Sequence, residues 1–189
     1  MSEPAESFPA DPAGRLVLRV ETRATGELSE AELGLIARQR ARIDYGMPAW
    51  GYQYAPKVWR TLAWVGQEVV GHAGIVPRTV AVDGRPIAVG GISGVWTAPE
   101  HRRRGVGRAV MAAAAAFMRD ELGAAFGLLL CLPELEPFYQ RLGWRGFPGP
   151  LVFEQPGRRI TWPLSVMVLP WAPGTEWPRG TIDLRGLPW

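Results

Sequence analysis

The chain has 189 residues, 47% of them hydrophobic, 21% charged and 10% aromatic, with a formal net charge of +3. That length closes a hydrophobic core without cross-links, and the composition is too apolar for a wholly disordered chain. One cysteine, Cys131, excludes an intrachain disulfide and a multi-cysteine zinc site, and two histidines leave no basis for a His-rich metal centre.

The positive charge is carried almost entirely by arginine, with Lys57 as the one lysine. Basic residues are scattered except at Arg102-Arg103-Arg104, which speaks against a nucleic-acid surface, where a continuous basic stripe is expected. The N-terminus, Met1-Ser-Glu-Pro-Ala-Glu-Ser7, carries acid where a signal peptide carries a basic region. The longest apolar run, Ala109 to Met118, is too short to cross a bilayer. The expectation is a cytoplasmic protein without a membrane or nucleic-acid partner.

In chain order, residues 1–14 read as a flexible leader ahead of one domain over 15–189. Arg15 to Thr22 alternates apolar and polar residues, a strand pattern. Ser29-Glu-Ala-Glu32 is a capping box that opens a helix toward Ile43. Asp44 to Pro56 holds Gly, Pro and four aromatics (Tyr45, Trp50, Tyr52, Tyr54) without helical period, as a loop over a cleft or as packed aromatics. Thr61–Val65 and Val69–Val80 flank Gly66-Gln67-Glu68, and Asp83-Gly84 leads into Pro86–Thr97, which predicts a three-stranded antiparallel meander.

The alanine-rich stretch Ala109–Leu122 predicts a helix ended at Gly123, and Ala125–Leu132 a strand buried on both faces. Glu134 to Leu142 is a short helix stopped by Gly143. Two strand-like stretches, Leu151–Glu154 and Leu164–Leu169, precede a tail rich in Pro, Trp and Gly. The order β-α-β-β-β-α-β-α-β predicts an α/β domain with a mixed sheet.

The junction that carries chemistry is strand, then Arg102-Arg103-Arg104-Gly105-Val106-Gly107, then helix. Glycines let successive N–H groups converge, the helix N-terminus adds partial positive charge, and three arginines favour a polyanion such as a pyrophosphate. The same residues also suit a solvated basic turn capping a helix. No Gly-Lys-Ser/Thr follows, so this is not a P-loop, and Gly-x-Gly-x-x-Gly is incomplete at Val110.

Val95-Trp-Thr-Ala-Pro-Glu-His-Arg-Arg-Arg-Gly-Val-Gly107 resembles the acetyl-CoA signature of the GNAT superfamily of N-acyltransferases, and Pro137-Phe-Tyr139-Gln-Arg-Leu-Gly143-Trp144 resembles its later Phe-Tyr-x-x-x-Gly-Phe/Trp element. Within that superfamily, Val70–Arg78, Ile87–Gly91 and the ending Asp183-Leu-Arg-Gly-Leu-Pro-Trp189 are most similar to aminoglycoside 2'-N-acetyltransferases. Val166–Pro170 and Glu176–Thr181 are similar to nodulation N-acyltransferases, which also act on an amino-sugar amine.

The resemblance implies a mixed, mostly antiparallel sheet flanked by helices and splayed at an acyl-CoA slot. It implies acetyl-CoA as cofactor, held by the backbone of Val95, Trp96 and Thr97 and by the loop Arg102, Arg103, Arg104, Gly105, Val106 and Gly107. It implies an amino-sugar substrate beside Ser93, Gly94 and Trp189, with Tyr139 as acid for the leaving thiolate and Asp183 or the Trp189 carboxylate as base. Tyr139 could instead pack on the sheet, and the two acids could be surface groups. Ser93-Gly94 stands where the aminoglycoside enzymes carry a glutamate, Leu187-Pro188 replaces an aspartate-containing pair, and Leu130 replaces a serine. Fewer acids favour a less cationic amino sugar, of which kasugamycin is an example.

The resemblance also implies a homodimer. His72, mid-strand, reads as a core histidine, His101 as a phosphate neighbour or a solvent-facing residue, and Cys131 as a small core residue. Trp50, Tyr52 and Trp59 are candidates to stack on a sugar or to pack internally. A longer acyl donor and a non-catalytic CoA-binding role are the alternative functions.

Overall fold

The computed structural model describes residues 17–44, 46 and 48–189. The expected leader over 1–14, the start of the expected first strand and Tyr45 lie outside them. Along the chain run β1 (Arg19–Ala24), α1 (Glu30–Ala41), β2 (Trp59–Val65), β3 (Glu68–Val82), β4 (Arg85–Thr97), α2 (Val106–Asp120), β5 (Phe126–Cys131) and α3 (Glu136–Gln140). Five shorter strands follow: β6 (Arg145–Gly146), β7 (Leu151–Gln155), β8 (Arg158–Thr161), β9 (Ser165–Pro170) and β10 (Ile182–Asp183).

The local signals act as their chemistry dictates. The capping box at α1 is formed: the Glu32 N–H donates to Ser29 Oγ at 3.3 Å, and the Ser29 N–H donates to Glu32 Oε2 at 2.8 Å. On α2, Val106, Val110, Met111, Ala114 and Met118 are buried, which is the spacing of one helical face. Three strands were not expected, namely β6, β8 and β10. The two-residue β6 and β10 are too short to show a period of two, and β8 presents mostly exposed residues, so no apolar alternation marks it.

The sheet order is β6-β9-β5-β4-β3-β10-β7-β8, and β2 joins β3 to β1 off that path. The sheet is mixed and mostly antiparallel, with parallel pairing between β4 and β5 and between β10 and β7. The first part of β3 pairs with β2, while its end, at Ala81 and Val82, pairs with β10.

Two neighbouring glycines show how the layers sit. A Cβ on Gly90 would lie 2.2 Å from Met118 Sδ of α2, whereas one on Gly91 would lie 2.3 Å from the Trp189 indole. Successive strand residues face opposite ways, so α2 covers one face and the C-terminal tail the other. Near the start of β3, α1 packs on the tail's face over Leu62, Trp64 and Trp96.

Candidate active site

The β4–β5 ladder runs from Val89–Phe126 to Ile92–Leu129 and stops there. Just beyond, β4 bulges: Gly74 pairs with Ser93 and His72 with Trp96, so Gly94 and Val95 together oppose Ala73. Gly94 has φ of +55°, a left-handed conformation in which glycine avoids the Cβ penalty.

His72 secures this bulge. Its Nδ1 lies 2.8 Å from the Gly94 carbonyl and its Nε2 lies 3.0 Å from Arg60 Nη1. A guanidinium only donates, so Nε2 accepts and Nδ1–H donates to Gly94. Trp96 stacks on the imidazole at 5.6 Å, and burial pushes the His72 pKa down to about 3. His72 is a neutral, satisfied core histidine.

Where the strands part, a cavity of about 260 Å³ opens through the sheet. Ile92, Leu129, Cys131 and Tyr139 line it and belong to the core layer beneath α2. Leu130, Trp162 and Trp189 line it from the opposite layer, joined by Tyr54, Lys57 and Arg40. Two larger concavities, of about 450 and 530 Å³, are built from 145–149 with 175–180 or with 162–166 and include no residue of β4 or β5.

On the α2 side, the chain turns through Arg103 at φ +59° and Gly105 at φ +85°, the residue that caps α2. Such alternation turns N–H groups inward ahead of a helix N-terminus. Arg102, Arg103 and Arg104 are exposed around this turn, and Arg102 Nε also donates to the Thr97 carbonyl at 3.4 Å. Gly71 lets the helix approach β3 closely, since a Cβ there would stand 2.6 Å from Val106. Gly107 faces Thr97 and Phe138 with more room, since a Cβ there would make ordinary contacts at 3.4 Å.

The structure therefore gathers Ser93, Gly94, Val95, Tyr139 and Trp189 at one cleft. Asp183 is not among the lining residues: on β10, its Oδ2 accepts from Arg159 at 2.7 Å and its Oδ1 from the Arg185 N–H at 2.9 Å. Trp189 is buried, with Arg78 over its ring at 5.1 Å, and Ala55 N–H donates to Pro188 O at 2.7 Å. Of the two positions expected for His101, beside a phosphate or facing solvent, the second does not hold: His101 is fully buried in the 3-10 turn Pro99–His101.

Among the aromatic candidates, Trp50 stacks on Tyr52 at 5.2 Å and meets Trp162 edge-on at 5.3 Å. Trp59 packs on Phe117 of α2 at 4.8 Å, on the far face. These are internal contacts, and the aromatics at the cleft are Tyr54, Tyr139, Trp162 and Trp189. Cys131 lines the cleft as a thiol: burial first, then Glu136 and Glu134, push its pKa up to about 12. Sequence reasoning passed over Lys57, Arg40 and Trp162, and named Tyr54 within a loop over a cleft or of packed aromatics. Of the three passed over, Lys57 alone carried a signal, as the one lysine in an arginine-rich chain.

Among the described residues, no group of three or more His, Cys, Asp or Glu could hold a metal ion, and no helix is long and apolar enough to cross a membrane. Residues 37–146 match the family model described as an acetyltransferase (GNAT) domain. A GCN5-related N-acetyltransferase from Kribbella flavida is 27% identical, with a TM-score of 0.53 over 69% of this chain, which spans about a third (33%) of that protein. ElaA from Escherichia coli is 19% identical with a TM-score of 0.57, over 81% of this chain and 99% of its own. An acyl-CoA N-acyltransferase from Pseudomonas aeruginosa is 17% identical with a TM-score of 0.56, over 81% and 99%. Helix, bulge, splay and basic turn stand inside the matched residues, and the chain belongs to the GNAT family of acyl-CoA-dependent N-acetyltransferases.

Proposed function

We propose that the protein moves the acetyl group of acetyl-CoA directly onto the amine of an amino sugar seated in the cleft. The observation that carries this reading is the cavity at the β4–β5 splay, lined from both layers of the sheet, on a β4 whose open end leads along the chain into the basic turn ahead of α2.

The residues present fit an acyl-CoA. Val95, Trp96 and Thr97 lie on β4 past the end of the β4–β5 ladder, so their backbone edge on that side is open to an extended pantetheine arm. Arg102, Arg103 and Arg104 and the N–H groups of Gly105, Val106 and Gly107 suit the pyrophosphate at the start of α2. When bound, acetyl-CoA supplies the acetyl group as a thioester open to attack by an amine. Tyr139, buried at the α2 side of the cleft, holds a phenolic proton for the departing sulfur.

The opposite side accepts the amine. Tyr54, Trp162 and Trp189 offer flat apolar area to a sugar ring, and Ser93 and Gly94 border it at the bulge. No Asp or Glu side chain lines the cleft among the described residues, which disfavours a polycation and supports a kasugamycin-type acceptor. A volume of about 260 Å³ suits an acetyl group and one sugar ring better than a long acyl chain. Asp183, held by Arg159, has no part in proton transfer in this reading.

The test is release of CoA thiol from acetyl-CoA with kasugamycin, gentamicin, neomycin and glucosamine oligomers, with mass spectrometry of the products. Turnover of kasugamycin over the multi-amine drugs is the expected result. Failure with every acceptor would overturn the amino-sugar assignment. Light scattering of the same preparation tests the homodimer.

A further inference from the structure

Lys57 reaches the cleft by an unusual route. Its stem crosses Gly74 of β3, where a Cβ would lie 2.3 Å from Lys57 Cδ and 2.6 Å from Cγ. It continues over Gly94 of β4, where a Cβ would lie 3.1 Å from Cε and 3.6 Å from Nζ. Two glycines on paired strands thus leave the channel that the aliphatic stem fills, and the ammonium arrives at the bulge. The root of the side chain is fixed as well. The Lys57 carbonyl accepts from Thr25 Oγ1 at 2.8 Å, and the next N–H, of Val58, donates to Ile75 O at 3.0 Å.

The charged side chains around it share one sign. Lys57 and Arg40 are the only charged side chains that line the cleft among the described residues, and Arg60 stands behind them, bonded to His72. Burial, then the Arg60 and Arg40 charges, lower the Lys57 pKa, as an excess of positive potential does. A fixed cation in a half-buried cleft without an acidic side chain is a ready site for an anion.

We propose that the acceptor amine carries an anionic group, a carboxylate or a phosphate, and that Lys57 binds that group at the β4 bulge. This rests on the reading above that the acceptor enters from the face opposite α2. The anion settles against Lys57 and leaves the amine to point through the splay toward Tyr139. The same potential repels a polycation, so the lysine acts in specificity as well as affinity.

The experiment compares matched acceptors at saturating acetyl-CoA: glucosamine, glucosamine 6-phosphate and muramic acid, the last two separating phosphate from carboxylate. The expected result is a KM at least about 10-fold lower for one of the two anionic sugars than for glucosamine, with the preference collapsing in Lys57→Gln and kept in Lys57→Arg. Equal KM values for all three in the native enzyme would overturn the proposal, and so would a Lys57→Gln variant that keeps the preference. A uniform fall in kcat with the preference intact would overturn it too, since Lys57 would then serve the amine itself.

Binding is measured separately, by quenching of tryptophan fluorescence with the same sugars while CoA fills the basic turn. If no sugar is acetylated, the amino-sugar assignment fails, and this titration alone decides the inference. Tighter binding of an anionic sugar that is lost in Lys57→Gln supports it, and no difference overturns it.

Discussion

The Nδ1–H of His72 donates to the carbonyl of Gly94 at 2.8 Å, joining the middle of β3 to the bulge of β4. The bond needs a neutral imidazole whose other nitrogen accepts from Arg60, and it holds the one point where β4 leaves its ladder.

That requirement sets a pH dependence. Burial lowers the folded pKa of His72 from 6.5 to about 3, so the unfolded chain binds the proton first as the pH falls. The stability held by the neutral ring is complete above about pH 6.5 and is lost toward pH 3, by up to about 1.4 kcal/mol per pH unit. Urea unfolding at pH 7, 6 and 5 is expected to show this decline, and His72→Gln to flatten it. An equally steep decline in the variant would place the titration on other groups.

Gly91→Ala is expected to drive the Trp189 ring out of place, because the new Cβ would stand 2.3 Å from Cε2 and 2.6 Å from Cζ2. Overpacking of this kind costs about 1–3 kcal/mol. Both the melting temperature and acceptor affinity should fall. Gly90→Ala strikes Met118 on the other face, so it should lower the melting temperature while leaving the acceptor KM alone.

Tyr139→Phe keeps the edge contacts of the ring with Phe138 at 5.0 Å and Trp144 at 6.2 Å but removes the hydroxyl. A general acid contributes about 10²–10⁴-fold, so kcat should fall by about 100-fold with little change in KM. A variant as fast as the native enzyme would leave Tyr139 with packing alone.

Removing charge at the basic turn, as in Arg103→Ala with Arg104→Ala, should raise the KM for acetyl-CoA about 10-fold and leave kcat close to native. The native KM should also rise with salt, since these arginines are exposed and screened. Gly105→Ala should act on the same parameter for another reason: φ of +85° at that position strains any residue with a Cβ, by about 1–3 kcal/mol. A KM that ignores all three changes would remove the turn from cofactor binding.

The sequence by itself determined most of the scaffold. The capping box at Ser29, the turn at Asp83-Gly84, the apolar strand ending at Cys131 and the glycines of 105–107 act through neighbours a few residues away, so a linear reading carries them. The proposed donor side was legible for the same reason, because Thr97 to Val106 bring strand end, basic turn and helix start together in one stretch. On the proposed acceptor side the resemblance had named Ser93, Gly94 and Trp189, and tertiary structure decided what joins them. Lys57 reaches Gly94 only because β3 sets Gly74 beside Ser93, and Trp189 meets the cleft only because β10 slots between β3 and β7. It also set Asp183, which the resemblance of the chain's ending had suggested as a base, outside the cleft lining and against Arg159. These pairings join residues up to about a hundred positions apart, and they follow from packing and sheet register, which no local pattern encodes.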